Sequence, residues 1–352
     1  MEEIKKEISG NYLRKAGKSQ YRLREICMDY IVLDLEWNQS YKGKEYTVAG
    51  IPFEIIQIGA VKLDEGRNVT DKWERVIKPV VYTRLHGKVS EMLGITAKEL
   101  ESGQDFKSAA KEFLEWCGDD CKFITWGGSD LTEFQRNMNY FGVENHFPFP
   151  FTYYDLQKLY SRLYSDGKTR RSLKTAIEEL GFKEDAQYHS AINDAVYTAR
   201  IFANMDFDKV SIYESIDNYR IPQSRKEEIY MNFGTYEKYI SKGFKTRDKA
   251  AEDRVARSCR CYICNKAMKR RIKWFSTTSK NYYSVFVCEE HGLFKGRMKV
   301  KQSDNGQFFD VRILKQTDNN GVDKIVDKQI KERENRRRKR MEEHKRKLES
   351  RK

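Results

Sequence analysis

The chain has 352 residues, of which 39% are hydrophobic and 34% are charged, and its formal net charge is +14. This length suits two domains, one of them large enough for a substantial core. No apolar run is long enough to span a bilayer, and the first residues lack the apolar centre of a signal peptide, so we expect a cytoplasmic protein. Seven cysteines, an odd number, fit a reducing compartment, where clustered cysteines more often bind metal than form disulfides.

The positive charge is concentrated in the last third of the chain. Residues 1–250 carry 38 basic and 39 acidic side chains, whereas residues 251–300 carry 12 and 4. Residues 301–321 are balanced at 3 and 3, and residues 322–352 carry 14 and 7. This asymmetry predicts that the C-terminal part binds a polyanion, with nucleic acid as the first candidate.

The first chemical motif lies at the end of a predicted strand. Residues 31–37, IVLDLEW, form an apolar β-branched run that ends in Asp34 and Glu36. Side chains two residues apart on a strand point to the same face, so both carboxylates project together. Because unpaired buried carboxylates are costly, the pair favours a hard divalent cation such as magnesium or manganese. The alternative is a strand that leaves the core and exposes its last residues to solvent.

Strands dominate the next part of the chain, and helices follow. Residues 53–65 and 71–81 predict two further strands of a meander. Residues 95–118 have apolar side chains at helical spacing, and residues 121–126, CKFITW, predict a short strand that leads into GGSD.

Two aspartates stand at the starts of predicted helices. Asp130 follows the glycine pair of GGSD and opens a helix that Gly142 would end. Its position just beyond a strand repeats that of Asp34 and favours a second metal-binding carboxylate, although aspartate also commonly caps helices. For Asp155, at the start of the pattern DLQKLYSRLY, we expect the capping role.

The third polar cluster is YHSAIND, residues 188–194. Asp194 lies in the first turns of a predicted amphipathic helix. His189 precedes Asp194 by five residues. On a helix, this spacing would place the two side chains on different faces. His189 therefore meets a metal bound by Asp194 more easily from a loop or a frayed helix start, although a lone histidine here would more often be structural.

In order and in setting, the five residues Asp34, Glu36, Asp130, His189 and Asp194 resemble the signature of the DEDDh branch of the 3′-to-5′ exonucleases. The resemblance spans residues 28–206 and includes the segments EIIQIGAV, LGIT, WGGSD and HSAINDA. The WGGSD form is similar to the enhanced-RNAi and bacterial sporulation-inhibitor exonucleases, many of which act on RNA. The sequence departs from many relatives by having leucine, not threonine, before Gly-Ile-Thr.

The resemblance implies an α/β fold of the RNase H-like type, with a mixed sheet of about five strands flanked by helices. It also implies two magnesium or manganese ions: Asp34, Glu36 and Asp194 hold one, Asp34 also contacts the second, and Asp130 acts mainly through water. His189 is then the general base, because an imidazole titrates near neutral pH. The implied reaction releases nucleoside 5′-monophosphates from the 3′ end of a single strand.

Three residues near the signature are candidates for contact with the last nucleotide. Trp37 follows Glu36 and has a ring that is suited to stacking on a base. Met92 and Leu93 are expected to line the same pocket. For a single aromatic residue beside a strand, packing in the core is an equally good alternative.

A second constellation lies in the basic third of the chain. Cys261 and Cys264 form one pair, and Cys288 and His291 form another after 23 intervening residues. Two tight pairs joined by a strand-forming stretch are typical of a structural zinc site with one tetrahedral ion. The additional Cys259 leaves the fourth ligand open between this thiol and His291. The alternative, a small core of buried thiols, is disfavoured because so small a module rarely folds without a metal or another staple.

The sequence predicts an N-terminal arm (residues 1–27), an exonuclease domain (28–206) and a helical connector (207–254). A zinc-ribbon-like nucleic-acid-binding module (255–321) and a basic tail that is helical or disordered (322–352) follow. In the module, basic and aromatic residues interleave in a way that suits the phosphates and bases of a single strand: Lys266, Lys269, Arg270, Arg271, Lys273, Trp274, Phe275, Tyr282 and Tyr283. The alternative is that the aromatic residues form the module's own core and the charges a solvated face.

The sequence thus predicts a metal-dependent 3′-to-5′ exonuclease tethered to single-stranded nucleic acid, with RNA favoured over DNA. One alternative is a single-stranded DNA exonuclease of repair or proofreading. Another is a non-catalytic regulator that only binds nucleic acid, which the intact five-residue set disfavours. Discrimination between RNA and DNA would rest on a contact to the 2′-hydroxyl, which no sequence pattern reveals.

Overall fold

The computed structural model describes residues 28–87, 89, 91, 96–184, 188–277 and 280–349. The predictions for the arm over residues 1–27, for Met92 and Leu93 as substrate contacts, and for the last residues of the tail lie outside the described residues. Within these ranges the chain forms two six-stranded sheets. None of the helices in the described ranges is long and apolar enough to cross a membrane.

The first sheet contains the strands β1 (Asp29–Asn38), β2 (Glu54–Leu63), β3 (Val69–Val76), β4 (Cys121–Thr125), β5 (Thr152–Asp155) and β6 (Ser215–Ile216). Their order across the sheet is β3-β2-β1-β4-β5-β6, with β4 and β5 parallel to β1 and the other neighbours antiparallel. The helices that accompany it are α1 (Ala97–Glu101), α2 (Phe106–Cys117), α3 (Ser129–Phe141), α4 (Leu156–Tyr164), α5 (Leu173–Glu179) and α6 (Ala191–Asn204).

Strand β1 lies near the centre of the sheet, and its successive side chains point alternately into two hydrophobic cores. Ile31 and Leu33 belong to the core on the side of α2 and α3. Val32 belongs to the core on the side of α4, α5 and α6. Because alternate residues of a strand share a face, Asp34 and Glu36 project on the side of Val32, towards α6.

Helix α6 lies directly on β2 because Gly59 has no side chain. A Cβ atom at Gly59 would be 2.2 Å from the backbone carbon of Ala191, the first residue of α6. Two residues earlier, the side chain of Gln57 accepts a hydrogen bond of 3.0 Å from the N–H of Ala191. Since Gly59 is paired with Asp34, this contact places the start of α6, with Asp194, above the first carboxylate.

The expected mixed α/β sheet with flanking helices is confirmed, and two details differ. The sheet has six strands because Ser215–Ile216, beyond the predicted domain end at residue 206, pairs with β5. The helical pattern over residues 95–118 is divided into α1 and α2. The reason is that Gly103 closely approaches the backbone of residue 78, and Asp105 then caps α2 by accepting a hydrogen bond from a backbone N–H.

The second sheet contains the strands β7 (Ile229–Asn232), β8 (Glu237–Ile240), β9 (Lys269–Ser276), β10 (Asn281–Cys288), β11 (Gly292–Gln302) and β12 (Phe308–Gln316). It is antiparallel throughout, in the order β7-β8-β12-β11-β10-β9. Its first core, on one face, includes Trp274, Phe286, Phe294 and Met298.

The segment expected to be a helical connector, residues 207–254, instead supplies the hairpin β7-β8 to this second sheet. Gly234, with φ of 72°, lies in the turn between the two strands. Only short helices are present, α7 (Arg247–Ala251) and the start of α8 (Arg254–Arg257). The hairpin is stabilised by pairing of β8 with β12, which lies more than 60 residues later in the chain. A pattern of hydrophobic residues within the segment cannot predict pairing with so distant a strand.

The C-terminal segment forms the helix α9 (Asn319–Glu349). Its first turns pack on β10 through Val322 and Ile325, which contact Val285. Beyond these turns its surface is strongly basic and mostly exposed. Of the two states expected for the tail, the described part has the helical one.

Candidate active site

The carboxylates of Asp34, Glu36, Asp130 and Asp194 meet at one end of the first sheet. Asp34 and Glu36 lie on β1, Asp130 lies in the first turn of α3, and Asp194 lies in the first turn of α6. They are close enough that the other three charges all raise the pKa of Asp34. The structure therefore brings together the four carboxylates that the sequence singled out.

Asp130 reaches this site because β4 runs parallel to β1 and delivers the start of α3 beside the end of β1. Its side chain is only 7% exposed, and it accepts a hydrogen bond from the backbone N–H of Leu35. The residue that precedes α3 is Gly128, and no side chain caps this helix. Asp130 is therefore not the N-cap of α3. Asp155, by contrast, accepts a hydrogen bond of 2.9 Å from a backbone N–H of α4 and has the capping role expected of it.

His189 lies in the loop before α6, in the position that its spacing from Asp194 predicted. Its φ is 65°, and its backbone N–H is 3.4 Å from Oδ2 of Asp194. Metal-ligating atoms of Glu36, His189 and Asp194 lie within 4.8 Å of one another. Oδ1 of Asp194 is buried and has no hydrogen-bond partner among the described residues. Buried acceptors without a partner are uncommon, and a cation at this point would satisfy it.

Burial raises the pKa of every carboxylate in the cluster, and repulsion within the cluster adds to this for Asp34 and Glu36. For Asp34 the pKa is raised well above its usual range, first by burial and then by the other three charges. Burial, with repulsion from Asp194 and Asp130, raises the pKa of Glu36 to about 7. Burial also raises the pKa of Asp130 to about 7 and that of Asp194 above its ordinary value. So much crowded negative charge fits divalent cations bound by carboxylate oxygens.

Trp37 follows the cluster on β1, next to a β-bulge between Glu36 and itself. Its ring centroid is 5.7 Å from that of Phe53, and the side chain is half-buried against the first hydrophobic core. Bulges beside active sites commonly re-aim a side chain. The ring of Trp37 therefore packs against Phe53, in agreement with the core-packing alternative. Stacking of Trp37 on a nucleotide stays a prediction.

Two positioning residues, Gln57 and Gly59, had no role assigned from the sequence. Both lie in the segment EIIQIGAV, which carried part of the resemblance. The available signal was a glycine inside an otherwise continuous apolar strand, a pattern that indicates close approach of another backbone. The sequence did not say which backbone, because α6 lies more than 130 residues later.

A second group of potential metal ligands lies in the turns of the second sheet. Sγ of Cys261 and Sγ of Cys288 are each 3.7 Å from Nδ1 of His291, and Sγ of Cys264 is 3.7 Å from Sγ of Cys288. A tetrahedral zinc ion with Zn–S bonds of about 2.3 Å separates its sulfur ligands by about 3.8 Å, so these spacings fit zinc. Cys259 is outside this group and lies buried in the neighbouring hydrophobic core.

Three of the basic and aromatic residues expected to bind nucleic acid around β9 have other partners. Lys266 forms an ion pair with Glu290, and Lys269 forms one of 2.8 Å with Glu289. Trp274 is buried in the core, and its indole N–H donates a hydrogen bond of 2.9 Å to a backbone carbonyl. For Trp274 the core alternative is therefore the one observed.

Comparison with known proteins gives the family. Residues 31–202 match the RNase_T exonuclease family. The chain is 28% identical over 183 residues to the probable 3′-5′ exonuclease KapD of Bacillus subtilis, covering 51% of this chain and 85% of that protein. It is 24% identical over 226 residues to 3′-5′ exoribonuclease 1 of Mus musculus, covering 58% of this chain and 64% of that protein.

Among solved structures, the nuclease domain of 3′hExo, described as a DEDDh family member bound to rAMP, superposes with a TM-score of 0.47 and 20% identity, covering 55% of this chain and 97% of that one. The family match includes the strands, the helices and the loop that carry all five signature residues. The mixed sheet with flanking helices is the architecture that the resemblance to the RNase H-like exonucleases implied. The chain therefore carries an exonuclease domain of the RNase_T family over residues 31–202.

Proposed function

We propose that this protein hydrolyses single-stranded nucleic acid, RNA in preference to DNA, from the 3′ end and releases nucleoside 5′-monophosphates. The observation that carries the proposal is the convergence of four buried or partly buried carboxylates and His189 at one end of the sheet of an exonuclease domain. A chain that only binds nucleic acid would have no use for so costly an arrangement of charge.

The carboxylates fit two magnesium or manganese ions. Asp34, Glu36 and Asp194 would hold one ion, Asp34 would contact the second, and Asp130 would act mainly through water. Bound metal ions supply charge that activates the attacking water and stabilises the leaving oxygen. Gly59 and Gln57 hold α6 against the sheet and so keep Asp194 in register with Asp34.

His189 would act as the general base. Its exposed position in the loop before α6 leaves the ring open to a substrate, while its N–H contact to Asp194 ties the loop to the carboxylate cluster. An imidazole near neutral pH both accepts and releases a proton readily. His189 would thus take the proton from the attacking water.

The preference for RNA rests on relatedness. The mouse protein similar to this chain is named an exoribonuclease, and the chain covers 64% of its length. A single-stranded DNA exonuclease is the alternative. The two differ in whether the site requires a 2′-hydroxyl, so matched RNA and DNA strands separate them.

We further propose that Cys261, Cys264, Cys288 and His291 bind one structural zinc ion, and that the second sheet and α9 hold the nucleic acid near the active site. The matching distances among the four ligand atoms support the zinc site. All six cysteines in the described ranges are unpaired, which supports a reducing compartment such as the cytoplasm. The division into an exonuclease domain and a zinc-binding module remains part of this proposal, with β6 added to the first unit and the hairpin β7-β8 added to the second.

The test compares 5′-labelled single strands of RNA and DNA with matched sequences, incubated with magnesium or manganese. Wild type is expected to shorten RNA faster than DNA, and Asp194→Asn to shorten neither. Asp105→Asn is the matched control, because asparagine also caps helices well and Asp105, the exposed N-cap of α2, is not among the charges that shift the pKa values of the cluster. Equal rates on RNA and DNA would overturn the sugar preference, and cleavage by Asp194→Asn would overturn the assigned site.

A further inference from the structure

Strand β11 separates two kinds of side chain onto its two faces. Phe294, Gly296, Met298 and Val300 are buried and face the core of the second sheet. The residues between them are all basic and point to the opposite face, namely Lys295, Arg297, Lys299 and Lys301. These four residues are called the basic strip. Arg297 and Lys299 are exposed, and the two outer lysines are partly buried.

Neighbouring strands add more positive charge to the same face. Lys315 on β12 is paired directly with Lys295, and Lys238 on β8 is paired with Ile313, which is itself paired with Arg297. Like charges directly opposite each other destabilise a sheet. In the part of the chain that the structure describes, no residue of the basic strip forms an ion pair with a carboxylate, whereas Lys266 and Lys269 near β9 do. The arrangement costs stability unless a polyanion neutralises it.

This face of the second sheet is turned towards the exonuclease domain. Phe309, which is paired with Lys301, packs with Ile216 and Ile221 of the segment that follows the domain. At the turn after β11, Asp304 accepts two hydrogen bonds from Arg136 of α3, of 2.6 and 3.0 Å. Arg136 is six residues after Asp130, or about 9 Å along the helix axis. The Lys301 end of the basic strip therefore lies beside the helix that enters the active site.

The electrostatics of this face agree with surplus positive charge between the second sheet and the exonuclease domain. Burial and the nearby ammonium groups of Lys158 and Lys301 lower the pKa of Lys238 to about 7, opposed only by Asp217. At the far end, burial and the charges of Lys315 and of Lys168 from the exonuclease domain lower the pKa of Lys295. Lysines from both parts of the protein thus surround the basic strip.

We propose that the basic strip binds the phosphates of a single RNA strand whose 3′ end lies in the carboxylate site. This inference rests on the proposed function and names the surface that holds the substrate. Basic side chains recur at every second residue, about 6.6 Å apart over about 20 Å, a spacing close to that of successive phosphates in an extended single strand. The proposed binding surface is therefore the basic strip on β11, whereas the sequence favoured the region around β9.

The closing experiment measures binding and hydrolysis separately. Binding of a fluorescent single-stranded RNA is followed by anisotropy over a range of salt concentrations, in an Asp34→Asn background that prevents degradation. The test variant combines Arg297→Gln and Lys299→Gln, both exposed and therefore compatible with folding. The matched control combines Lys107→Gln and Lys111→Gln, which remove the same charge from the exposed side of α2.

Loss of two phosphate contacts is expected to reduce the slope of log affinity against log salt by about 1.4, and to weaken binding about 25-fold near 0.1 M salt. The control variant is expected to keep the wild-type slope, and the charge-preserving exchange of Arg297→Lys with Lys299→Arg is expected to retain most of the affinity. An unchanged slope in the test variant, or an equal loss in the control, would overturn the basic strip as the binding surface. Failure of the proposed function would be seen separately, as absence of RNA hydrolysis by wild type.

Discussion

Replacing Glu36 with glutamine tests whether the carboxylate cluster is a cation site, because it removes one charge and keeps the shape of the side chain. Burial and repulsion raise the pKa of Glu36 from 4.5 to about 7. Between these two pH values the folded state holds a proton that the unfolded state releases, so the stability of the metal-free protein falls as pH rises. The shift corresponds to about 3 kcal/mol, and we expect about half of that because Glu36 is partly exposed to solvent.

Without divalent cations, Glu36→Gln is therefore expected to be more stable than wild type by about 1.5 kcal/mol above pH 7, and equal to it below pH 4.5. Manganese should reverse this order. A cation that binds only the folded wild type adds about 2.7 kcal/mol at a hundredfold excess over its Kd. The variant lacks one ligand and should gain much less.

Urea denaturation followed by tryptophan fluorescence measures both effects. Cation-free buffer is preferable to a chelator, because a chelator would also remove zinc from the second site. Glu115→Gln, which changes an exposed glutamate on α2, is the control and should behave as wild type. The reasoning fails if manganese does not stabilise wild type, or if Glu36→Gln destabilises the metal-free protein.

Three further changes test other parts of the structure. Gly59→Ala should destabilise the protein by roughly 2 kcal/mol in urea denaturation and slow mononucleotide release, because its Cβ meets the backbone of α6; Gly87→Ala, with open space around it, should do neither. Cys264→Ser should lose zinc in metal analysis of the purified protein, whereas Cys259→Ser should retain it. Absence of zinc from both wild type and Cys259→Ser would refute the proposed zinc site. Asp310→Asn should stabilise the protein by a few kcal/mol above pH 8 and have no effect below pH 4, because burial raises the pKa of Asp310 to about 8; equal stability in alkaline urea titrations would refute this.

The sequence predicted most of what lies within one strand or one helix. Alternation in β1 placed Asp34 and Glu36 on one face, and the spacing of His189 from Asp194 placed the histidine in a loop. Both arguments need only the local geometry of the backbone. The clustering of cysteines and His291 was likewise visible from short spacings, and the structure places these four ligands together without Cys259.

Pairing between distant segments was beyond the sequence. The hairpin β7-β8 was expected to be helical because its partner β12 lies far along the chain. Gly59 was quoted as part of a motif, yet its contact with α6 depends on tertiary packing. The sequence analysis included the basic residues of β11 only in the net charge. That they share one face and lack carboxylate partners depends on the register of the strands, which cannot be predicted from composition.

Degradation of end-labelled RNA by wild type and by Asp34→Asn tests the central claim most directly. With manganese, wild type should release a labelled mononucleotide from 3′-labelled RNA at once, and should shorten 5′-labelled RNA stepwise. Asp34→Asn should bind the same RNA and leave both labels intact, because the residue is expected to contact both metal ions. Release of mononucleotides from the 5′ end, internal cleavage, or full activity of Asp34→Asn would contradict the account.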